Sequence, residues 1–102
     1  MDVSLDDSIT IPDDVLFREL DGEAVLLNLK TGVYFGLNPM ATRMWQLIAE
    51  GRPLARVLDT LLDEYEVDRG VLESDLLDLA RQLCANGLGD VTPTSDDPTA
   101  GT

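Results

Sequence analysis

Few side chains in this sequence are of a type that makes or breaks covalent bonds. The adjacent carboxylates Asp6-Asp7, Asp13-Asp14 and Asp96-Asp97 are the kind of group that holds hard cations or carries protons. None falls in the alternating oxygen pattern with a central glycine that a calcium loop requires. Each sits in a polar stretch, so solvated charge is the expected role. The single thiol, Cys84, would act as nucleophile or ligand only as a thiolate. It falls on an apolar helical stripe with no histidine, lysine or second cysteine near it in sequence, and core filler is the expectation. Histidine is absent, which removes the commonest general base, metal ligand and triad member. Glycines at 32, 36, 51, 70, 87 and 89 build neither a phosphate loop nor a dinucleotide fingerprint. No catalytic, metal-binding or cofactor-binding residue is assigned, no cofactor is implied, and the protein is expected not to be an enzyme.

The remaining chemistry belongs to the main chain. Gly32-Val33-Tyr34-Phe35-Gly36-Leu37 reads as a short uncharged strand, followed at once by Asn38-Pro39 and by helical patterns only. It is the last strand of a run, and in a meander the last strand lies at the edge. Edges are usually blunted by lysine, proline or inward charge, because their free N–H and C=O groups pair with any extended chain. Nothing blunts this one. It is either covered by the protein's own chain or open to an added peptide strand. Gly36, inside that strand, marks either a bulge or the close approach of another backbone.

The elements that position this strand are legible. Val15 to Leu20 and Glu23 to Leu29 read as strands joined by the hairpin turn Asp21-Gly22. That turn pairs Leu20 with Glu23, Arg18 with Val25 and Leu16 with Leu27. Lys30-Thr31-Gly32 reads as a three-residue turn, pairing Leu29 with Val33, Leu27 with Phe35 and Val25 with Leu37. One face then collects Leu16, Leu20, Val25, Leu27, Leu29, Val33, Phe35 and Leu37, and it is the expected core face. Phe17, Ala24, Leu26, Asn28, Tyr34 and Gly36 fall on the other, with Phe17, Leu26 and Tyr34 an apolar cluster needing a cover.

Asn38 caps the first helix with Pro39 at its first position. Met40, Ala41, Met44, Trp45, Leu47 and Ile48 follow at helical spacing, and Trp45 is expected as a large core side chain. Leu54, Val57, Leu58, Leu61, Leu62 and Tyr65 form the stripe of a second helix starting at Pro53. Asp68 caps a third, with Leu72, Leu76, Leu79, Ala80, Leu83 and Cys84 in its stripe, closed by Gly87 and Leu88. Three strands followed by three helices predict an α+β domain, an antiparallel sheet with helices on one face. The domain is expected over residues 14–88, with a mostly disordered acidic arm at 1–13 that holds a short extended piece at Ile9-Thr10-Ile11, and a disordered tail at 89–102.

A net charge of −13 over 102 residues opposes nucleic acid and anionic membrane surfaces as partners. A neutral or basic peptide fits better. No apolar run approaches a membrane span, and the acidic start lacks a signal-peptide layout. With one cysteine and no signal, a cytoplasmic location is expected.

Gly22-Glu23-Ala24-Val25-Leu26-Leu27-Asn28-Leu29, then Thr31-Gly32-Val33-Tyr34-Phe35-Gly36-Leu37-Asn38, then Met44-Trp45, resembles the PqqD-like family. So does Glu64-Tyr65-Glu66-Val67-Asp68, then Asp75-Leu76, then Leu83 and Gly87-Leu88. The match spans about residues 15 to 88 in the family's order. The resemblance implies a winged-helix-like domain that recognises ribosomally made, post-translationally modified peptides. It implies that the precursor's leader adds as a strand to the third strand and lies between that strand and the third helix. Carried over, Val33, Tyr34, Phe35, Gly36 and Leu37 would pair with the leader, and Asp75, Leu76, Leu79 and Gln82 would line the groove. Leu26 and Tyr34 are expected beside the guest strand, as pocket residues.

The expected function is a peptide chaperone that delivers a precursor to a modifying enzyme or leader protease, in a lasso-peptide type of pathway. A pyrroloquinoline quinone biosynthesis carrier and a winged-helix transcription regulator are the alternatives. A monomer is expected, with self-pairing through the edge strand as the competing arrangement.

Overall fold

A computed structural model describes residues 3–21 and 23–93. Along them run β1 (Asp7–Thr10), β2 (Val15–Leu20), β3 (Glu23–Asn28), β4 (Tyr34–Leu37), α1 (Pro39–Ala49), α2 (Leu54–Glu64), α3 (Arg69–Ala85) and β5 (Asp90–Pro93). β2, β3 and β4 make an antiparallel meander, and β1 pairs antiparallel with β5 in a separate ribbon. The chain thus adopts the expected α+β class, three consecutive strands and then three helices, with the ribbon added.

The first hairpin follows its turn chemistry. Asp21 takes φ of 54°, and Leu20 faces Glu23, Arg18 faces Val25 and Leu16 faces Leu27 as expected. The second hairpin is one residue out of the expected register. Leu27 faces Tyr34, Leu26 faces Phe35, Val25 faces Gly36 and Ala24 faces Leu37. Asn28 is the cause. Its N–H donates to Val33 O and its carbonyl accepts from Gly32 N–H, each at 2.8 Å. The connection therefore has four residues, Leu29 to Gly32, not three. Asn28 Oδ1 accepts from the N–H groups of Lys30 (2.8 Å) and Thr31 (3.1 Å). This is the side-chain turn mimicry that suits asparagine to loops, and Gly32 closes it with φ of 80°.

The slip reverses the buried side of β3 and β2, because side chains alternate with period two. Leu16, Val25, Leu29 and Val33, expected in the core, are exposed, and Leu27 is half-buried. The side chain of Leu20 lies outside the described residues. Ala24, Leu26 and Asn28 are buried in their place, and Phe17 packs against the core. Phe35 and Leu37 keep the core side they were assigned, since the slip changes β3 relative to β4. Both faces of the meander carry apolar residues, so alternation alone does not choose between them. The helices choose. Trp45 of α1 stacks on Phe17 with ring centroids 4.5 Å apart and planes within 4°, an arrangement worth about 1 kcal/mol beyond burial.

α1 and α3 begin, and α3 ends, where their capping residues predict. Asn38 Oδ1 accepts from Ala41 N–H at 2.7 Å and Asp68 Oδ2 from Val71 N–H at 3.3 Å. Gly87, at φ of 72°, ends α3. Leu88 N–H returns to Leu83 O at 2.8 Å and Gly87 N–H to Cys84 O at 3.3 Å, both bonds of a Schellman ending. The apolar stripes of α2 and α3 are buried from Leu54 to Leu61 and from Leu72 to Leu83.

The expected disordered arm is a correction. Val3 and Ile9 are buried, Leu5 and Ile11 pack on the core, and Leu5 O accepts Ala55 N–H at 2.9 Å, capping the otherwise uncapped start of α2. The extended piece expected at Ile9-Thr10-Ile11 overlaps β1, while acidic neighbours hid the apolar positions 3 and 5. Asp90–Pro93, assigned to the tail, pairs with β1. A Cβ on Gly89 would come within 2.6 Å of Ile9 Cγ2, so the residue before β5 must be small. The rest of the expected tail, with Asp96-Asp97, lies outside the described residues, as do residues 1, 2 and 22.

Two outcomes follow. Asn28→Ala removes the loop cap and the donor to Gly87, and should cost about 2 kcal/mol in urea unfolding. Unchanged stability would show that the slip has another origin. Arg43 Nε of α1 donates to Glu64 Oε1 at 2.9 Å in a forked pair. That hydrogen bond, opposed by slight desolvation, holds the Glu64 carboxyl below its usual range. A depressed carboxyl stabilises the fold above its unfolded pKa and stops doing so as pH falls through its folded pKa. Arg43→Ala should return the Glu64 titration, followed by carbon NMR, to the ordinary range. Its stability deficit should vanish at acid pH.

Candidate functional site

The strand order β2-β3-β4 leaves one side of β4 unpaired among the described residues, and the N-terminal segment pairs with β5 instead. Which groups face that side follows from the Asn28 N–H to Val33 O bond. Antiparallel pairs alternate between bonded and non-bonded positions. Phe35 and Leu37 therefore direct their N–H and C=O toward β3, opposite Leu26 and Ala24. Tyr34 and Gly36 direct theirs outward. Gly36 is not a bulge, since pairing runs without a break from Tyr34 to Leu37. It does not take a positive φ, and a Cβ there would meet nothing within 4 Å.

Beside this edge lies a groove of about 370 Å³ between β4, the first turns of α1 and one face of α3. Its floor is apolar: Phe35, Met40, Ala41, Met44 and Leu79. Met44 and Leu79 are buried and the other three half-buried. Its far wall is polar. Asp75, Asp78 and Gln82 are exposed and share the groove with Leu79, as spacings of three, four and seven on a helix require. Gln82 Nε2 donates to Asp78 Oδ2 at 3.0 Å. The recorded ion pairs join Arg43 to Glu64, Arg52 to Glu50 and Arg69 to Glu73. Neither groove carboxylate belongs to one among the described residues.

Asn28 also ties the meander to the segment that closes α3. Its Nδ2 donates to Gly87 O at 2.7 Å, so the same side chain that shapes the loop before β4 holds the end of α3. Both walls are thereby referred to one buried amide.

Of the residues expected at the site, Phe35, Gly36, Asp75, Leu79 and Gln82 line the groove. Leu37 is buried beside it and Val33 precedes β4. Tyr34 contributes edge backbone while its side chain points to the opposite, outer face, 74% exposed. Leu26 and Leu76 are fully buried and cannot touch a guest; a pocket shared by Leu26 and Tyr34 does not form, because they lie on opposite faces. Asn38, Met40, Ala41, Met44 and Asp78 line the groove without having been assigned to it. Asp78 was discoverable, being three residues from Asp75 on the same ridge. The α1 residues carry no such signal, since only the path of the chain after β4 brings them there.

Cys84 is half-buried, and burial, followed by the nearby Asp90 charge, pushes its thiol pKa up. That is the environment of an inert thiol. Among the described residues no group of three His, Cys, Asp or Glu side chains is placed to hold a metal ion. No described helix is long and apolar enough to cross a membrane.

The family model described as Coenzyme PQQ synthesis protein D (PqqD) matches residues 23–88. Two solved structures are similar. TbiB1 in complex with the TbiA(beta) leader peptide is 41% identical with a TM-score of 0.73, over 79% of this chain and 94% of that one. A lasso peptide synthetase B1 complexed with the leader peptide is 30% identical with a TM-score of 0.73, over 81% and 98%. No curated protein matches.

Proposed function

The chain belongs to the PqqD family, and from that membership we propose that it binds the leader of a ribosomally made precursor peptide in lasso-peptide biosynthesis. The leader joins β4 as a fourth strand. It acts as a carrier without chemistry of its own, passing the peptide to a modifying enzyme or leader protease. The observation that carries this is the unpaired edge of β4 looking onto a groove whose far wall is α3. Both similar structures hold leader peptides, and the second favours the lasso pathway over a quinone-cofactor one. A DNA-reading role is disfavoured, because the face of α3 with Asp75 and Asp78 has the wrong sign for phosphate.

Magnitudes divide the work. Tyr34 and Gly36 offer two donors and two acceptors, each bond netting about 1 kcal/mol. That sum corresponds to about millimolar affinity, before the cost of ordering the peptide. Backbone pairing therefore aligns any extended chain, and apolar contact with Phe35, Met44 and Leu79 supplies the selective part. Toward the enzyme, the carrier presents the outer sheet face. Leu16, Val25 and Tyr34 are exposed there, continuous with the strand the guest would add.

The test uses the TbiA(beta) leader peptide in calorimetric titration. Gly36→Pro deletes an outward N–H while leaving the β3–β4 ladder intact, and should weaken binding at least tenfold in a variant with unchanged circular dichroism. Gly36→Ala keeps the donor and should bind as the parent does. Phe35→Pro should also abolish binding, but it breaks the ladder to β3 as well. Full affinity in a folded Gly36→Pro variant would remove strand addition.

A further inference from the structure

We propose that the groove selects a guest strand carrying a lysine or arginine on the side turned toward α3, where Asp75 and Asp78 hold its charge. This rests on the leader-binding reading and adds a side-chain requirement to it. Asp75 and Asp78 stand three residues apart on the α3 wall, close enough for like charges to repel. Gln82 binds and orients the Asp78 carboxylate. The described cations lie elsewhere. Arg43, Arg52 and Arg69 are bonded to Glu64, Glu50 and Glu73. Arg18 belongs to β2, Lys30 to the loop before β4 and Arg56 to α2. Arg81 lines a different cavity with Val3 and Cys84. No described ion pair includes either carboxylate, in a chain of net charge −13.

The opposite wall says what kind of molecule brings the cation. The outward N–H and C=O groups of Tyr34 and Gly36 accept an extended backbone, not a small ion. Between the walls, Met44, Leu79 and Phe35 form an apolar floor. Lysine and arginine suit such a path, their methylene stems lying on apolar surface while the charged head stays at a wet rim. A strand turns alternate side chains to one face, about 6.8 Å apart. Only guest positions of one parity can therefore reach the two carboxylates. This separates the local pair from the diffuse pull that a strongly acidic protein exerts on any cation, which has no parity.

The experiment is a substitution scan of the TbiA(beta) leader peptide, titrated calorimetrically into the full chain. Lysine and then its neutral isostere norleucine replace each position in turn. Lysine should bind about five- to tenfold tighter than norleucine, the size of one well-placed, partly exposed pair. The gain should occur at one or two positions of a single parity. It should disappear in Asp75→Asn/Asp78→Asn, which should bind the lysine and norleucine peptides alike. Equal binding of lysine and norleucine peptides throughout, a gain at both parities, or a gain surviving in the double variant would overturn the inference while leaving strand addition standing. Failure of every peptide, the unmodified one included, would bring down the leader-binding reading and this inference together.

Discussion

The buried side chain of Asn28 makes hydrogen bonds in two directions, and much of the remaining geometry depends on them. Toward its own loop, Oδ1 gathers the N–H groups of Lys30 and Thr31. Toward the helices, Nδ2 holds the carbonyl of Gly87 at the end of α3. A buried amide without these partners would be costly, so its position and its partners are chosen together. The first set of bonds lengthens the β3–β4 loop to four residues and thereby selects the register. The second ties the meander to the segment that closes α3.

An edge strand facing a groove is a hazard as well as an opportunity, since it invites pairing with another copy of the same chain. Here β4 is only four residues long, which limits what such pairing gains. The net charge of −13 opposes close approach of two copies. A peptide of neutral or basic character meets no such opposition. The large negative charge thus biases the edge away from a second copy of the chain. Gly36 lies on that edge. Its backbone faces the edge, and the position takes no conformation that glycine alone adopts. Nor is there a neighbour that would exclude a side chain. Nothing within the protein calls for glycine there.

The site is built from main-chain groups and helix faces rather than from reactive side chains. Among the described residues no cluster of side chains is placed to hold a metal ion. Cys84 illustrates it: a thiol that would draw attention in another setting is pushed toward the inert form by burial. On the proposed leader-binding reading, backbone pairing tolerates any extended sequence, and the groove with its apolar floor and acidic wall discriminates.

Local physical chemistry determined a great deal from the sequence alone. Asp21-Gly22 set the first hairpin because a two-residue turn admits few backbone conformations. Asn38, Asp68 and Gly87 marked helix ends because caps act within one turn. The stripes of α2 and α3 named their buried residues because helical period and burial agree. The vacant edge of the third meander strand was legible from chain order. Tertiary structure alone decided which face of the meander is inside. Leu16, Val25 and Leu29 are as apolar as Leu26 and Phe17, and it is contact with the helices that breaks the tie: Ala24, Leu26 and Leu37 join the helical core, Trp45 stacks on Phe17, and Asn28 bonds to Gly87. It also recruited Val3, Leu5 and Ile9 from an acidic segment, because their partners in α2 and β5 are distant in sequence. The groove belongs to the same class: Met40, Ala41 and Met44 meet Asp75 and Asp78 only once the helices have folded back against β4.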